Sequence, residues 1–276
     1  YEINRRIVFV MRLLGVGREG INVFCGLMDI CQGLAKSTYD KIVQHLYSAS
    51  KLMFESVCKK AVKEEQEKNV ENEQTANCFK VSGDGSWKKR GFTSLFGVTT
   101  LIAYYSGKVV DLIVKSAYCH TCALNKNTLD NDQFEEWYED HKESCSSNHD
   151  GSAGKMEVDS IVEMFLRSVE KFEVKYTNYI GDGDSKTFAG ILKMNPYGND
   201  CPVIKNECVG HVQKRMGTRL RNKRKEQKLG GKKRLTESII KKLTIYYGLA
   251  IRRNINSVED LKKAVIATLD HYCSSD

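Results

Sequence analysis

The spacing of apolar and polar positions divides the chain into a helical stretch, a stretch of period two, and a mixed remainder. Ile7, Val10, Met11 and Leu14 recur at helical spacing, Gly15-Val16-Gly17 interrupts them, and Ile21, Phe24, Cys25 and Met28 form a second stripe. Ser37 can cap a third helix, with Tyr39, Ile42, Val43, Leu46 and Tyr47 on one face. A longer helix from about Ser50 carries Leu52, Met53, Val57 and Val62, then fades into a Glu/Gln/Asn-rich stretch from Glu64 to Gln74, read as a linker. A helical brace for the next domain is favoured here over a DNA-binding helix-turn-helix. From Phe79 the period becomes two. Phe79 to Asp84, Thr93 to Tyr105 and Val109 to Tyr118 read as three strands in an antiparallel meander, with Trp87 to Gly91 as the first turn.

The alternation returns only in pieces after a polar insert. Lys155 to Phe172 reads as a helix with Met156, Ile161, Phe165 and Val169 inward. Then come a strand, Lys175 to Gly181, a short helix, Ser185 to Met194, a second short strand, Val203 to Cys208, and a basic helix, Val209 to Lys228. Two more helices follow Gly230-Gly231, about Arg234 to Leu249 and Ser257 to Tyr272. Three antiparallel strands, then helix, strand, helix, strand, helix, is the ribonuclease H-like order, an α/β mixed sheet in which the first strand lies beside the fourth. The expected organisation is an N-terminal helical region over 1–75 and a ribonuclease H-like core over 76–228. A zinc-binding-like insert at 119–150 interrupts the core, and a C-terminal helical segment, 229–276, reads as a truncated insertion. The chain lacks an initiating methionine and a cleavage site, so it reads as a piece of a longer protein.

Composition sharpens this picture in two places. No apolar run is long enough to span a bilayer, so no membrane partner is expected. The net charge of +8 is concentrated: Lys205 to Leu235 holds twelve Lys and Arg against Glu207 and Glu226, so the rest of the chain is net acidic. Such a local excess is the footprint of a polyanion, most often nucleic acid, or a nuclear-import signal. Lys214, Arg215, Arg219, Arg221, Lys223 and Arg224 are the candidate DNA contacts, and the nucleus the expected location.

Two groups of residues carry chemistry. Val81-Ser82-Gly83-Asp84-Gly85-Ser86-Trp87 ends a strand on a glycine-flanked aspartate, and Tyr179-Ile180-Gly181-Asp182-Gly183-Asp184-Ser185 repeats the grammar. The glycines would let a ligand or metal approach the backbone closely. If the strands are neighbours, Asp84 and Asp182 meet. Paired carboxylates repel unless a cation neutralises them, and hard oxygen ligands select Mg²⁺ or Mn²⁺. The second group is Cys119-His120-Thr121-Cys122 with His141 and Cys145. Cysteines two residues apart reach one ion from a tight turn, and a histidine and cysteine four positions apart share a helical face, which suits tetrahedral Zn²⁺. Cys119, Cys122, His141 and Cys145 are the preferred ligands, with His149 or His120 as replacements for His141. A metal would also explain how so polar an insert persists.

The chain resembles the Mutator-like element transposases over nearly its whole length. The resemblance rests on the Asp84 and Asp182 motifs and on Cys208-Val209-Gly210-His211-Val212. It implies a DDE-type core in which Asp84 is the first acid and Asp182 the second, with Asp184 a weaker candidate. It also implies a CxxH motif at Cys208 and His211 beside the site, and a metal-dependent enzyme that nicks element ends and joins them to double-stranded target DNA. Cys208 and His211 are alternatively packing residues, or zinc ligands with Cys201. The family's third acid, a glutamate, has no match in the expected context. Glu237 and Glu259 fall on the helices of the insertion, so the third acid is expected beyond Asp276. A domesticated DNA-binding protein without cleavage activity remains the alternative, with a nuclease acting on RNA behind it. Homo-oligomerisation stays open.

Overall fold

A computed structural model describes residues 2–30, 32–89, 94–181, 185–231 and 234–273. It divides into two compact units, Tyr1–Lys63 and Glu64–Asp276. The first contains α1 (Glu2–Leu13), α2 (Arg18–Leu27) and most of α3 (Lys36–Glu71). Its core is Val8, Ile21, Cys25, Tyr39 and Ile42. Val8 takes the buried position on α1, whereas Val10 and Leu14, expected inward, are exposed.

The expected break near Ser50 and the expected linker from Glu64 are both absent, because α3 runs unbroken through them to Glu71. The polar residues that suggested a linker have defined partners. Glu65 is fully buried and accepts the backbone N–H groups of Tyr105 and Ser106 at 3.0 and 2.6 Å. Asn69 is also fully buried and donates to the carbonyls of Thr75, Ala76 and Cys78. Burying a carboxylate or amide is costly unless it is hydrogen-bonded, and here the Glu65 carboxylate and the Asn69 amide nitrogen tie the end of a helix to two loops, while the Asn69 amide oxygen has no partner among the described residues.

The second unit is built on a five-stranded mixed sheet of order β3-β2-β1-β4-β5. The strands are β1 (Cys78–Trp87), β2 (Phe96–Ala103), β3 (Val109–Ser116), β4 (Lys175–Gly181) and β5 (Ile204–Glu207). The meander is antiparallel. β4 lies parallel to β1, with Val81 opposite Tyr179 and Ser82 opposite Ile180, and β5 extends the parallel half. The first strand therefore neighbours the fourth. Between β3 and β4 come α4 (His120–Thr128), α5 (Asn131–His141), a single 3₁₀ turn over Lys142–Ser144, and α6 (Ala153–Phe172). α7 (Ser185–Met194), α8 (Val209–Glu226), α9 (Glu237–Arg253) and α10 (Val258–Cys273) complete the unit.

Helix α6 forms because its apolar residues recur every three or four positions behind a Ser152 cap, whose hydroxyl accepts the Lys155 N–H. Met156, Ile161, Met164, Phe165 and Phe172 are buried, while Val169, expected inward, is exposed. Against this face β1 presents Phe79 and Val81, both fully buried. Asp111 of β3 is also fully buried and receives Arg167 Nε and Nη2 at 3.0 and 2.8 Å and Lys171 Nζ at 2.9 Å. Removing the carboxylate takes the buried partner from two part-exposed cations, although Arg167 keeps Glu163 and the Leu112 carbonyl, so Asp111→Ala should cost about 3 kcal/mol in urea unfolding, the low end for a broken buried pair. A cost below about 1 kcal/mol would reduce the cluster to a surface pair. Among the described residues, no helix is long and apolar enough to cross a membrane.

Candidate active site and metal centre

Asp84 is exposed on β1, and its carbonyl accepts the Thr100 hydroxyl across the β1–β2 ladder. It opens onto a cavity of about 440 Å³ at the carboxyl ends of β1 and β4. Glu157 of α6, Tyr179 and Ile180 of β4, Thr187 of α7, Cys208, and His211 of α8 also line it. Asp182 and Asp184 lie outside the described residues; β4 is described to Gly181, the residue before Asp182.

The glycines beside Asp84 line the cavity and also meet a packing constraint. A Cβ on Gly83 would lie 2.7 Å from Ile161 and 3.0 Å from the Tyr179 hydroxyl, so it is the packing of α6 and β4 that excludes a side chain there. A Cβ on Gly85 would lie 3.1 Å from a carboxylate oxygen of Glu157 and 3.3 Å from the Trp87 ring. Gly85 thus leaves room for an acid the sequence reading passed over.

The CxxH pair is held at the same place by backbone. Cys208 is the residue before α8, its N–H donates to the Gly181 carbonyl, and the His211 N–H donates back to the Cys208 carbonyl. Both residues line the acid cavity. Cys201 is not brought to them in any group of metal-ligating type among the described residues. Neither Glu237 nor Glu259 lines the cavity. Glu237 instead pairs with Arg221 at 2.9 Å and Arg224 at 3.3 Å, and the hydrogen bond from Arg221 holds its carboxyl below the ordinary range.

Along α8 the basic residues separate into two sets. Lys214, Arg215 and Arg219 line an open groove with Thr218 and His211, and His211 belongs to both this groove and the acid cavity. Arg215 pairs with Glu207. Lys214 and Arg219 have no ion pair among the described residues. Arg221 and Arg224 are turned to Glu237, and Lys223 pairs with Glu226 at 3.0 Å.

The insert holds the one group of three or more metal-ligating side chains close enough to share an ion among the described residues. It comprises Cys119, Cys122, His141 and Cys145, whose ligand atoms all lie within 4.8 Å of one another. Cys119 precedes α4 and Cys122 sits in its first turn; His141 ends α5, and Cys145 follows the 3₁₀ turn. His141 Nε2 is 3.3 Å from Cys119 Sγ, and Cys122 and Cys145 sulfurs are 3.5 Å apart. Nδ1 of His141 is 3.3 Å from the Ser144 hydroxyl, and Trp137 stacks on the imidazole with ring centroids 4.6 Å apart. His149 and His120 lie outside the cluster: His149 faces Asp159 at 3.6 Å, and His120 is exposed beside the Tyr118 hydroxyl. Burial opposes ionisation of Cys119, but the Cys122 and Ser146 N–H groups and His141 outweigh it and hold the thiol down at about 5. Burial, then proton sharing with Cys145 and Cys119, pushes Cys122 up to about 12. One sulfur is thus prepared as a thiolate, and three sulfurs with one imidazole can bind a metal such as Zn²⁺. Neither α4 nor α5 contains a buried residue, so an ion would supply the cohesion that a core does not.

No curated protein and no solved structure matches the chain. The family model described as Mutator-like transposase matches residues 1–275. The chain therefore belongs to the Mutator-like transposase family.

Proposed function

We propose that residues 64–276 carry a ribonuclease H-like catalytic core of a DNA transposase, cutting element ends and joining them to duplex target DNA in the nucleus. The observation that carries this is the parallel pairing of β1 with β4. Asp84 follows Ser82 by two positions and Asp182 follows Ile180 by two, and Ser82 and Ile180 are partners across that pairing. Family membership and the cavity beneath Asp84 support the same reading.

Asp84 and Asp182 would hold Mg²⁺ or Mn²⁺. When bound, such ions would supply Lewis acidity toward a water or 3′-hydroxyl and toward the leaving oxygen of a phosphodiester. The donor chemistry fits, since the acids Asp84 and Glu157 line the cavity, and the cysteines grouped closely enough to share an ion are those of the insert. His211, shared by the cavity and the α8 groove, stands where a strand leaving the acids would meet Lys214 and Arg219. The Cys119–Cys122–His141–Cys145 group would hold Zn²⁺ and give the insert a fixed shape.

The test is cleavage and strand transfer by the whole protein on oligonucleotide duplexes with Mg²⁺ or Mn²⁺. Metal-dependent joined products are expected; no product with either ion on element-end DNA would remove the enzyme reading and leave the DNA-binding one. The groove makes a separate prediction. Lys214→Ala with Arg219→Ala should lower the slope of log affinity against log salt for duplex DNA by about 2. Arg221→Ala with Arg224→Ala should change it less, because both already serve Glu237. Equal slopes for the first pair and the unsubstituted protein would take α8 out of the interface.

A further inference from the structure

We infer that Glu157 is a further metal-ligating carboxylate of the acid cavity, acting with Asp84. This rests on the reading of that cavity given above. Glu157 sits in the second turn of α6, between the buried Met156 and the buried Ser160 and Ile161, which fix the rotation of the helix. That rotation aims its carboxylate at the β1 backbone, where a Cβ on Gly85 would come within 3.1 Å of Oε2. A methyl group at 85 would be tighter than ordinary contact, and the carboxylate would have to give by a few tenths of an ångström. The neighbour of Gly85 in the chain is Asp84, and both acids line the one cavity of about 440 Å³ with His211 and Thr187. Asp84 and Glu157 are the only acids lining it among the described residues.

A divalent cation in that cavity would have both residues in its lining to draw on for carboxylate oxygens. Mg²⁺ and Mn²⁺ are satisfied by one or two carboxylates with waters and phosphate completing the shell, and the cavity has room for those. The supply of acid from a helix, rather than from a strand end, lets ligands approach an ion from two directions. This gives the cavity a second described carboxylate beside Asp84, without calling on Glu237 or Glu259.

The experiment is Mn²⁺ binding by the whole, zinc-loaded protein, followed by electron paramagnetic resonance, with circular dichroism to establish folding. Glu157→Gln should weaken Mn²⁺ by about 10- to 100-fold, and Glu157→Asp by less. Gly85→Ala, which removes no ligand but crowds the Glu157 carboxylate, should also weaken it. Glu135→Gln on the insert should leave it unchanged. Unchanged Mn²⁺ affinity in Glu157→Gln, beside a loss in Asp84→Asn, would exclude Glu157 and keep the cavity as the metal site. Unchanged affinity in Asp84→Asn, or no Mn²⁺ bound by the unsubstituted protein, would overturn the cavity reading and Glu157 with it. Should Glu157→Gln fail to fold, Gly85→Ala decides: full affinity there overturns the assignment.

Discussion

Asp84→Asn is expected to reduce strand transfer by about 10³-fold or more while duplex binding persists. The substitution keeps the shape of the side chain and removes one negative charge from the cavity. A ligated cation contributes several kcal/mol to the developing phosphoryl charge, and each 1.36 kcal/mol is a factor of ten. Losing about 4 kcal/mol of that stabilisation therefore accounts for about three decades. Duplex binding should hold or tighten slightly, because the α8 groove is untouched and an acid has been removed near the phosphates. Fold should be unaffected: Asp84 is exposed, and only its backbone carbonyl receives the Thr100 hydroxyl. Asp182→Asn is expected to behave alike if the two acids share the ion. Strand transfer near the unsubstituted rate in Asp84→Asn, with fold and binding intact, would remove this residue from the chemistry.

Much of this arrangement was legible in the residues because local pattern and long-range order agree. The bounds of β4 and α7 follow directly from alternation and helical spacing, Lys175–Gly181 and Ser185–Met194. The β1–β4 neighbour relation follows from element order alone, since a helical crossover after a meander returns the chain to the open side of the first strand. The grouping of Cys119, Cys122, His141 and Cys145 follows from residue type and spacing. What escaped was of another kind. The Glu64–Gln74 stretch reads as a linker because composition does not reveal that Glu65 and Asn69 point into loops that need acceptors and donors. Glu157 escaped because a helical acid near a capped N-terminus is favourable in any helix, so its identity carries no signal. Only the glycine at position 85, read as space for a neighbour rather than for a ligand, could have pointed to it. The split among the α8 basic residues was equally hidden. Charge counting treats Arg219 and Arg221 alike, whereas Glu237 on another helix claims one of them.

Cys145→Ser is expected to lower bound zinc from about one per chain to near zero and to unfold the insert while leaving the sheet intact. The local collapse follows from burial. α4 and α5 contribute no buried side chain, so cohesion must come from the ligands and from anchors such as Asn148, whose amide bridges Ser116 and Val114. The core beneath α6 does not depend on the insert. Trp137, stacked on His141, reports the change, and its emission should shift to the red. Chelation of the unsubstituted protein should produce the same spectrum. The pH dependence has a definite sign. Cys119 is held low enough to be a thiolate at neutral pH, but Cys122 keeps its proton until a metal displaces it. Zinc uptake must therefore release protons, and apparent affinity must rise with pH and fall as acid reprotonates the sulfurs. A zinc-release titration that is flat between pH 5 and pH 8, or a metal-free protein with unchanged helical content and Trp137 emission, would mean that something other than an ion holds Cys119, Cys122, His141 and Cys145 together.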